Sequence, residues 1–111
     1  MKETITAATV QFNLALGEIE TNLEKAEAGL RRASEQGAQL AVLPEMWSAG
    51  YDYKRLQRHA EQTPRVLEVI QKLSAELGLV IVGSLPEKEG EKIFNTASVI
   101  ACSASRSELA L

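Results

Sequence analysis

Two short, almost wholly apolar runs, at residues 39–43 and 79–84, constrain the fold of this chain more than any other feature. Each run follows a segment whose apolar residues recur every three or four positions, which is the spacing of an amphipathic helix. A short apolar run behind such a helix is typical of a strand that is buried on both faces. The alternation predicts a layered α/β unit rather than a helical bundle or a barrel.

The full pattern predicts the element order β-α-β-α-β-β. The first helix carries one apolar stripe, made of Ile19, Leu23, Ala26, Leu30 and Ala33. Gly37 and Gly78 are predicted to end the two long helices, since glycine is the usual left-handed residue past a helix end. Thr63 and Pro64 predict an N-cap and a first helical position, which leaves a separate short helix over 54–61. Strands are predicted over 4–12, 39–43, 79–84 and 93–100, with a polar turn at 88–91.

Composition narrows the possible functions. A chain of 111 residues has room for one domain with a modest core. It has 12 basic and 15 acidic residues, so no basic surplus exists to bind nucleic acid. One cysteine and one histidine are too few for an internal disulfide or a site built from such ligands, and neither a metal nor a cofactor is expected. No apolar run approaches the roughly 20 residues that span a membrane, so a cytoplasmic protein is expected.

Glu45 is the most informative candidate for chemistry. It follows an apolar run and Pro44, and it precedes Met46 and Trp47. In open α/β sheets, ligands bind beyond the carboxyl ends of the strands, where this side chain is expected. Apolar and aromatic neighbours are expected to raise its pKa, which suits a general base. A carboxylate in a solvated loop is the competing interpretation, and position alone favours neither.

A family resemblance comes from the order of several stretches. The most diagnostic reads AVLPE at residues 41–45 and continues into GY at 50–51. It lies between the strand AATVQFN and the strand pair GLVIVGSLPE and NTASVI. In this order the chain resembles the N-terminal part of the nitrilase, or carbon-nitrogen hydrolase, superfamily, over residues 4 to about 100. The resemblance implies half of an α-β-β-α sandwich.

The resemblance also implies an activity. Members of the superfamily hydrolyse non-peptide amides or nitriles with a glutamate, a lysine and a cysteine nucleophile. Glu45 occupies the place of the glutamate, which takes the cysteine proton and returns it to the leaving amine. Tyr51 matches an aromatic position at the pocket wall and is the candidate substrate-binding residue. Asn95 and Thr96 match the strand that leads toward the lysine and are expected to be structural.

The chain departs from the family pattern after Ile100. The lysine motif, aromatic-x-Lys-x-His-Leu-Phe, is absent there, and the single histidine, His59, is expected on a helix surface. Cys102 stands in Ala-Cys-Ser-Ala-Ser rather than in the nucleophile motif Cys-Tyr-Asp-x-Arg, so it is interpreted as an ordinary small thiol. We therefore expect a truncated hydrolase domain over 1–100 and a non-family tail over 101–111, for which a frameshift is favoured over a natural short product.

The expected function is that of a truncated carbon-nitrogen hydrolase that is inactive alone. Two alternatives stay open, a non-catalytic binding or assembly module and half of an enzyme that another polypeptide completes. In that second case alone a small amide or nitrile would be a substrate.

Because two helices cover one face of the predicted sheet, the other face needs a cover as well. We expect an obligate homodimer in which two copies stack sheet on sheet.

Overall fold

The computed structural model describes residues 3–101 as a four-stranded mixed sheet with two long helices on one face. The strands are β1 (Ala7–Thr9), β2 (Leu40–Val42), β3 (Val80–Glu89) and β4 (Lys92–Ile100). The helices are α1 (Ile19–Glu35) and α2 (Leu56–Leu77), and a 3₁₀ turn over Tyr53–Arg55 leads into α2. The predicted α/β class is confirmed. The strands β1 and β2 are shorter, and β3 longer, than the sequence indicated.

The sheet has the strand order β1-β2-β3-β4, with the first three strands parallel and β4 antiparallel to β3. Each parallel pair is joined through a helix, whereas β3 and β4 form a hairpin around Gly90, whose φ is +63°. The register aligns Ala8, Ala41, Ile81 and Ile100 in one row across all four strands. This row faces the helices, since Ala41 and Ile81 are almost fully buried.

The row next to it faces away from the helices. It consists of Thr9, Val42, Val82 and Val99, of which Val42 is 38% and Val99 47% exposed. We call this row, together with Leu40 and Val80, the open face. In this chain β2 is therefore buried on one side only, which differs from the burial on both faces that its apolar sequence predicts.

The core lies between the sheet and the helices. All five residues of the predicted α1 stripe are buried, which confirms the helical spacing. α2 contributes Val66, Ile70 and Leu73, and Trp47 from the loop after β2 is 1% exposed in the same cluster. Full burial of a valine, leucine or isoleucine side chain contributes about 1.5–3 kcal/mol to stability. Neither helix of residues 3–101 has the length and apolarity needed to cross a membrane.

α2 corrects one prediction. The expected break between a short helix and an N-cap at Thr63 does not exist, because the helix runs unbroken through Pro64. The Thr63 hydroxyl instead donates a buried hydrogen bond of 2.6 Å to the carbonyl of Pro86. The helix is buried on both sides of the proline, at Ala60 before it and at Val66 after it, and this packing offsets the lost backbone hydrogen bond. The left-handed conformations predicted at Gly37 and Gly78 are confirmed.

Candidate active site

Glu45 lies just beyond the carboxyl end of β2, and its side chain is exposed. Because β1 runs parallel to β2, the residues that follow β1 reach the same edge of the sheet. An open cleft of about 710 Å³ lies there, between residues 9–13 on one side and 42–45 on the other. The candidate carboxylate therefore borders a cleft at the strand ends, where open α/β sheets bind ligands.

Two side chains hold one oxygen of this carboxylate. The Tyr51 hydroxyl donates a hydrogen bond of 2.6 Å to Oε2 of Glu45. Asn95 Nδ2 donates one of 2.7 Å to the same oxygen and lies 3.3 Å from the Tyr51 hydroxyl oxygen. We call these three side chains the carboxylate triangle. Among residues 3–101, no side chain or amide donates a hydrogen bond to the second oxygen, Oε1.

The triangle sets the acidity of its members. The hydrogen bond from Tyr51, and then that from Asn95, lowers the pKa of Glu45 below its ordinary value. The same bond to Glu45 raises the pKa of Tyr51. The expected rise in the pKa of Glu45 is thus wrong. Met46 and Trp47 do not surround the carboxylate, because both side chains point into the core and are 2% and 1% exposed.

The backbone turns sharply after Glu45. Met46 has a φ of +51°, the only positive φ among the non-glycine residues of 3–101. Its amide donates to the Ser84 hydroxyl at 2.9 Å, and its carbonyl accepts from the Gly50 amide at 2.8 Å. Such a conformation persists only where its surroundings hold it. Here it sends the Met46 side chain into the core and leaves Glu45 at the cleft.

Asn22, fully buried in α1, joins the loop after β1 to the loop after β2. Its Oδ1 accepts a hydrogen bond of 2.9 Å from the Ala15 amide, and its Nδ2 donates to the Ala15 carbonyl at 2.9 Å. Nδ2 also donates to the Ser48 carbonyl at 2.8 Å. A direct backbone bond from Gly17 to Ala49 adds to this connection. The loops that follow β1 and β2 are therefore fixed to each other, just beyond the residues that line the cleft.

His59 is buried rather than on the surface, which corrects the expectation from its helical context. Its Nε2 lies 3.0 Å from Oδ2 of Asp52, and the two side chains are 5% and 13% exposed. The reason is that the first turns of α2 pack against the loops that follow β1 and β2, where the His59 ring lies next to Gly17 and Asp52. Arg55 and Arg58, which lie near His59 in the sequence, are exposed.

The structure brings the Glu45 and Tyr51 side chains together. It also adds Asn95, which was expected to be structural. An asparagine in the middle of a strand was the available signal, because strands are depleted in this residue. Thr96 donates to Glu87 instead. Cys102 lies outside the described residues. Within 3–101, no three potential metal-ligating side chains cluster.

Residues 6–107 match the sequence pattern of the family Carbon-nitrogen hydrolase. The chain belongs to the carbon-nitrogen hydrolase family. The match covers nearly the whole chain and continues past Ile100, where the sequence predicted the end of the family-like part.

Several members of the family are about one-third identical to this chain. A nitrilase of Pyrococcus abyssi is 33% identical over 101 residues, which are 86% of this chain and 38% of the relative. An omega-amidase of Bos taurus is 36% identical over 79% of this chain and 35% of its own length. A 2-oxoglutaramate amidase of Bacillus subtilis is 31% identical over 82% and 36%. The chain thus spans less than two-fifths of the length of these relatives.

Solved structures of the family share the fold. An amidase from Nesterenkonia sp. superposes with a TM-score of 0.78 at 30% identity, over 89% of this chain and 39% of the amidase. In a variant of that amidase, acrylamide has added to the active-site cysteine. A carbon-nitrogen hydrolase superfamily protein from Xanthomonas campestris has a TM-score of 0.79 at 20% identity and shows the fold alone.

Proposed function

We propose that this chain carries the glutamate side of a carbon-nitrogen hydrolase active site, with a small amide as the class of substrate. The carboxylate triangle is the observation that supports the proposal. It presents a carboxylate at the strand ends with one oxygen held and the other free, next to an open cleft. The resemblance of the AVLPE stretch to the family's glutamate motif assigns the same residue.

In this proposal Glu45 is the general base. Its lowered pKa keeps the carboxylate ionised near neutral pH, so Oε1 can accept the proton of a cysteine thiol. The thiolate then attacks the amide carbon, the C–N bond breaks, and Glu45 returns the proton to the leaving amine. Water hydrolyses the resulting thioester. Tyr51 and Asn95 keep Oε2 in place, so that Oε1 faces the cleft throughout.

Tyr51 has a second role in the proposal, as a substrate-binding residue. Its side chain is 42% exposed beside Glu45, and its ring centroid lies 5.8 Å from that of Tyr53. An exposed aromatic ring next to the general base offers an apolar surface to a small substrate. An amide is favoured over a nitrile because the omega-amidase, the 2-oxoglutaramate amidase and the Nesterenkonia amidase all carry amidase names.

We further propose that the chain does not hydrolyse amides alone. No lysine follows Ile100, and Cys102 does not stand in the family's nucleophile motif. A base without its nucleophile has no proton to accept, and the members of such a unit fail together. A second candidate function is half of an enzyme that another polypeptide completes, which the intact triangle and the uncovered cleft favour. A binding or assembly module is the remaining alternative.

The activity experiment measures ammonia release from small aliphatic amides by the purified chain. We expect no turnover above that of the Glu45→Gln variant, which keeps the size of the side chain but not its basicity. Turnover that survives Cys102→Ala and disappears with Glu45→Gln would contradict the proposed inactivity. Adding a separate polypeptide that carries the family's lysine and cysteine should restore activity to the wild-type chain. Two controls should stay inactive. One is the Glu45→Gln variant mixed with the same polypeptide, and the other is that polypeptide alone.

The open face supports a proposal about assembly, namely that two copies stack through it. Its apolar residues include Val42 and Val99, both well exposed in the single chain. Covering about 600 Å² of apolar area per chain is worth about 15 kcal/mol before the costs of association. A two-fold related copy presents the same apolar surface, so the contact is self-complementary.

Light scattering tests this assembly. We expect a dimer at micromolar concentration, and we expect Val42→Lys to convert it to a monomer by placing a charge in the contact. Leu16→Lys is the matched control, because Leu16 is 62% exposed in the loop after β1 and is not part of the open face. A wild-type chain that is folded and monomeric at this concentration would contradict the homodimer.

A further inference from the structure

The pair formed by Asp52 and His59 has no part in the proposed chemistry. Neither side chain contacts Glu45 or lines the cleft. Nevertheless His59 is 5% exposed and Asp52 13%, and His59 Nε2 lies 3.0 Å from Asp52 Oδ2. Burial of two ionisable groups costs free energy unless they satisfy each other, so a pair of this kind calls for an explanation.

Three segments of the chain meet at this pair. Asp52 ends the loop that begins with Glu45, and His59 lies near the start of α2. Gly17, from the loop after β1, packs so closely that a Cβ atom there would lie 2.7 Å from Asp52 Oδ2. The Asp52 carbonyl also accepts a hydrogen bond of 3.1 Å from the Arg55 amide. Asp52 is therefore held through its backbone and through its side chain.

Tyr51 directly precedes this fixed residue. The peptide bond between them is planar and the two Cα atoms are about 3.8 Å apart, so a fixed Asp52 restricts the backbone of Tyr51. The Tyr51 side chain itself is 42% exposed and so receives limited support from packing. Its hydroxyl still lies within 2.6 Å of Glu45 Oε2, which requires that its backbone stays in place.

We propose that the buried Asp52–His59 pair is a positioning pair, which fixes the end of the loop so that the Tyr51 hydroxyl stays on Glu45. This inference rests on the proposed role of Glu45 as the base. His59 acts through Asp52 and Tyr51 and does not touch the substrate. Without the pair, Tyr51 leaves the carboxylate for solvent, and the triangle loses the bond that most restricts Oε2.

The two tyrosines of the chain make the arrangement measurable without any activity. In the Tyr53→Phe background, Tyr51 is the only tyrosine, so phenolate absorbance during a pH titration reports its ionisation alone. The hydrogen bond to Glu45 raises the pKa of Tyr51, and Glu45→Gln should bring this pKa down toward about 10. If Glu45→Gln leaves the pKa of Tyr51 unchanged, the triangle itself is wrong and the proposed function fails with it.

His59→Leu in the same background tests the positioning. We expect the pKa of Tyr51 to fall toward about 10, as it does with Glu45→Gln. Removal of a positive charge on the imidazole would shift this pKa upward instead, so a fall reports geometry rather than charge. His59→Gln should keep the raised pKa, because its amide nitrogen can donate to Asp52 in place of Nε2.

Ser74→Ala is the matched control for a loss of stability. It removes a buried hydrogen bond of 2.7 Å to the Leu79 carbonyl at the far end of α2 and should leave the pKa of Tyr51 unchanged. Circular dichroism checks that each variant is folded at the pH of the titration. If His59→Leu does not fold, His59→Met takes its place. If His59→Leu or His59→Met folds and Tyr51 keeps its raised pKa, the positioning role is wrong. The triangle itself is then still supported, provided that Glu45→Gln lowers the pKa of Tyr51.

Discussion

Replacement of Asn22 by alanine tests how strongly the loops after β1 and β2 depend on one buried side chain. The change removes all three hydrogen bonds that the Asn22 amide makes with Ala15 and Ser48. At about 1 kcal/mol for each neutral hydrogen bond, the free energy of unfolding should fall by about 3 kcal/mol. A domain of this size is stable by about 5–15 kcal/mol, so the variant should fold with a clearly lowered stability.

Asn22→Asp separates the hydrogen bonds from the shape of the side chain. Aspartate keeps the acceptor for the Ala15 amide, but it brings a carboxylate oxygen against the Ala15 and Ser48 carbonyls where the donor was. We therefore expect a greater loss of stability at neutral pH than with alanine. Burial would raise the pKa of this aspartate, so the added loss should be absent at low pH and grow as the pH rises.

Chemical denaturation followed by fluorescence measures both variants. Trp47 is the only tryptophan and is 1% exposed in the core next to Ser48, so its emission reports unfolding of this region. Thr21→Ala is the matched control, because Thr21 precedes Asn22 on the exposed side of α1 and should change stability by less than about 0.7 kcal/mol. A loss below about 1 kcal/mol for Asn22→Ala, or an aspartate variant no worse than alanine at neutral pH, would refute the reasoning.

Three further changes have expected outcomes. Tyr51→Phe removes the stronger cause of the lowered pKa of Glu45, so this pKa should rise in an NMR titration. The stability that these hydrogen bonds contribute is complete above the ordinary glutamate pKa and is lost as the pH falls through the lowered pKa. An unchanged titration would contradict the bond. Gly17→Ala places a Cβ atom 2.7 Å from Asp52 at a φ of +74° and should cost more than about 1 kcal/mol in denaturation. Pro64→Ala restores a backbone donor inside the helix and should stabilise the protein by about 2 kcal/mol, and a lowered melting temperature would be evidence against the strained interior position.

The parts of the fold that the sequence predicted depend on local periodicity. The α1 stripe is repeated over five positions, and one buried face suffices to define it. The two apolar runs were placed correctly as strands, but their apolar sequence could not show which face this chain covers. Pro64 misled the interpretation because proline has a strong local preference for the first turn of a helix, whereas packing on both sides of it decided the outcome.

The site was predictable only in part, for the same physical reason. Glu45 directly follows an apolar strand, so its place at the sheet edge is a local property. Asn95 reaches it from 50 residues away, through the register of the β3–β4 hairpin, which no local pattern specifies. The pKa of Glu45 was misjudged because the expectation counted neighbours in sequence, whereas the hydrogen bond from Tyr51 outweighs them.

The separation of Glu45 and Asn95 in the sequence determines when the carboxylate triangle can form during synthesis. β1, β2 and β3 with both helices can form from residues already made, but the triangle waits for the last strand. At synthesis rates of about 5–20 residues per second, Glu45 exists for several seconds before Asn95 is added. Until Asn95 is added, Tyr51 is the other member of the triangle that is available to the carboxylate, and once β3 has been made its edge stays unpaired until β4 follows. Pairing of β4 with β3 therefore protects that edge and completes the triangle in one event.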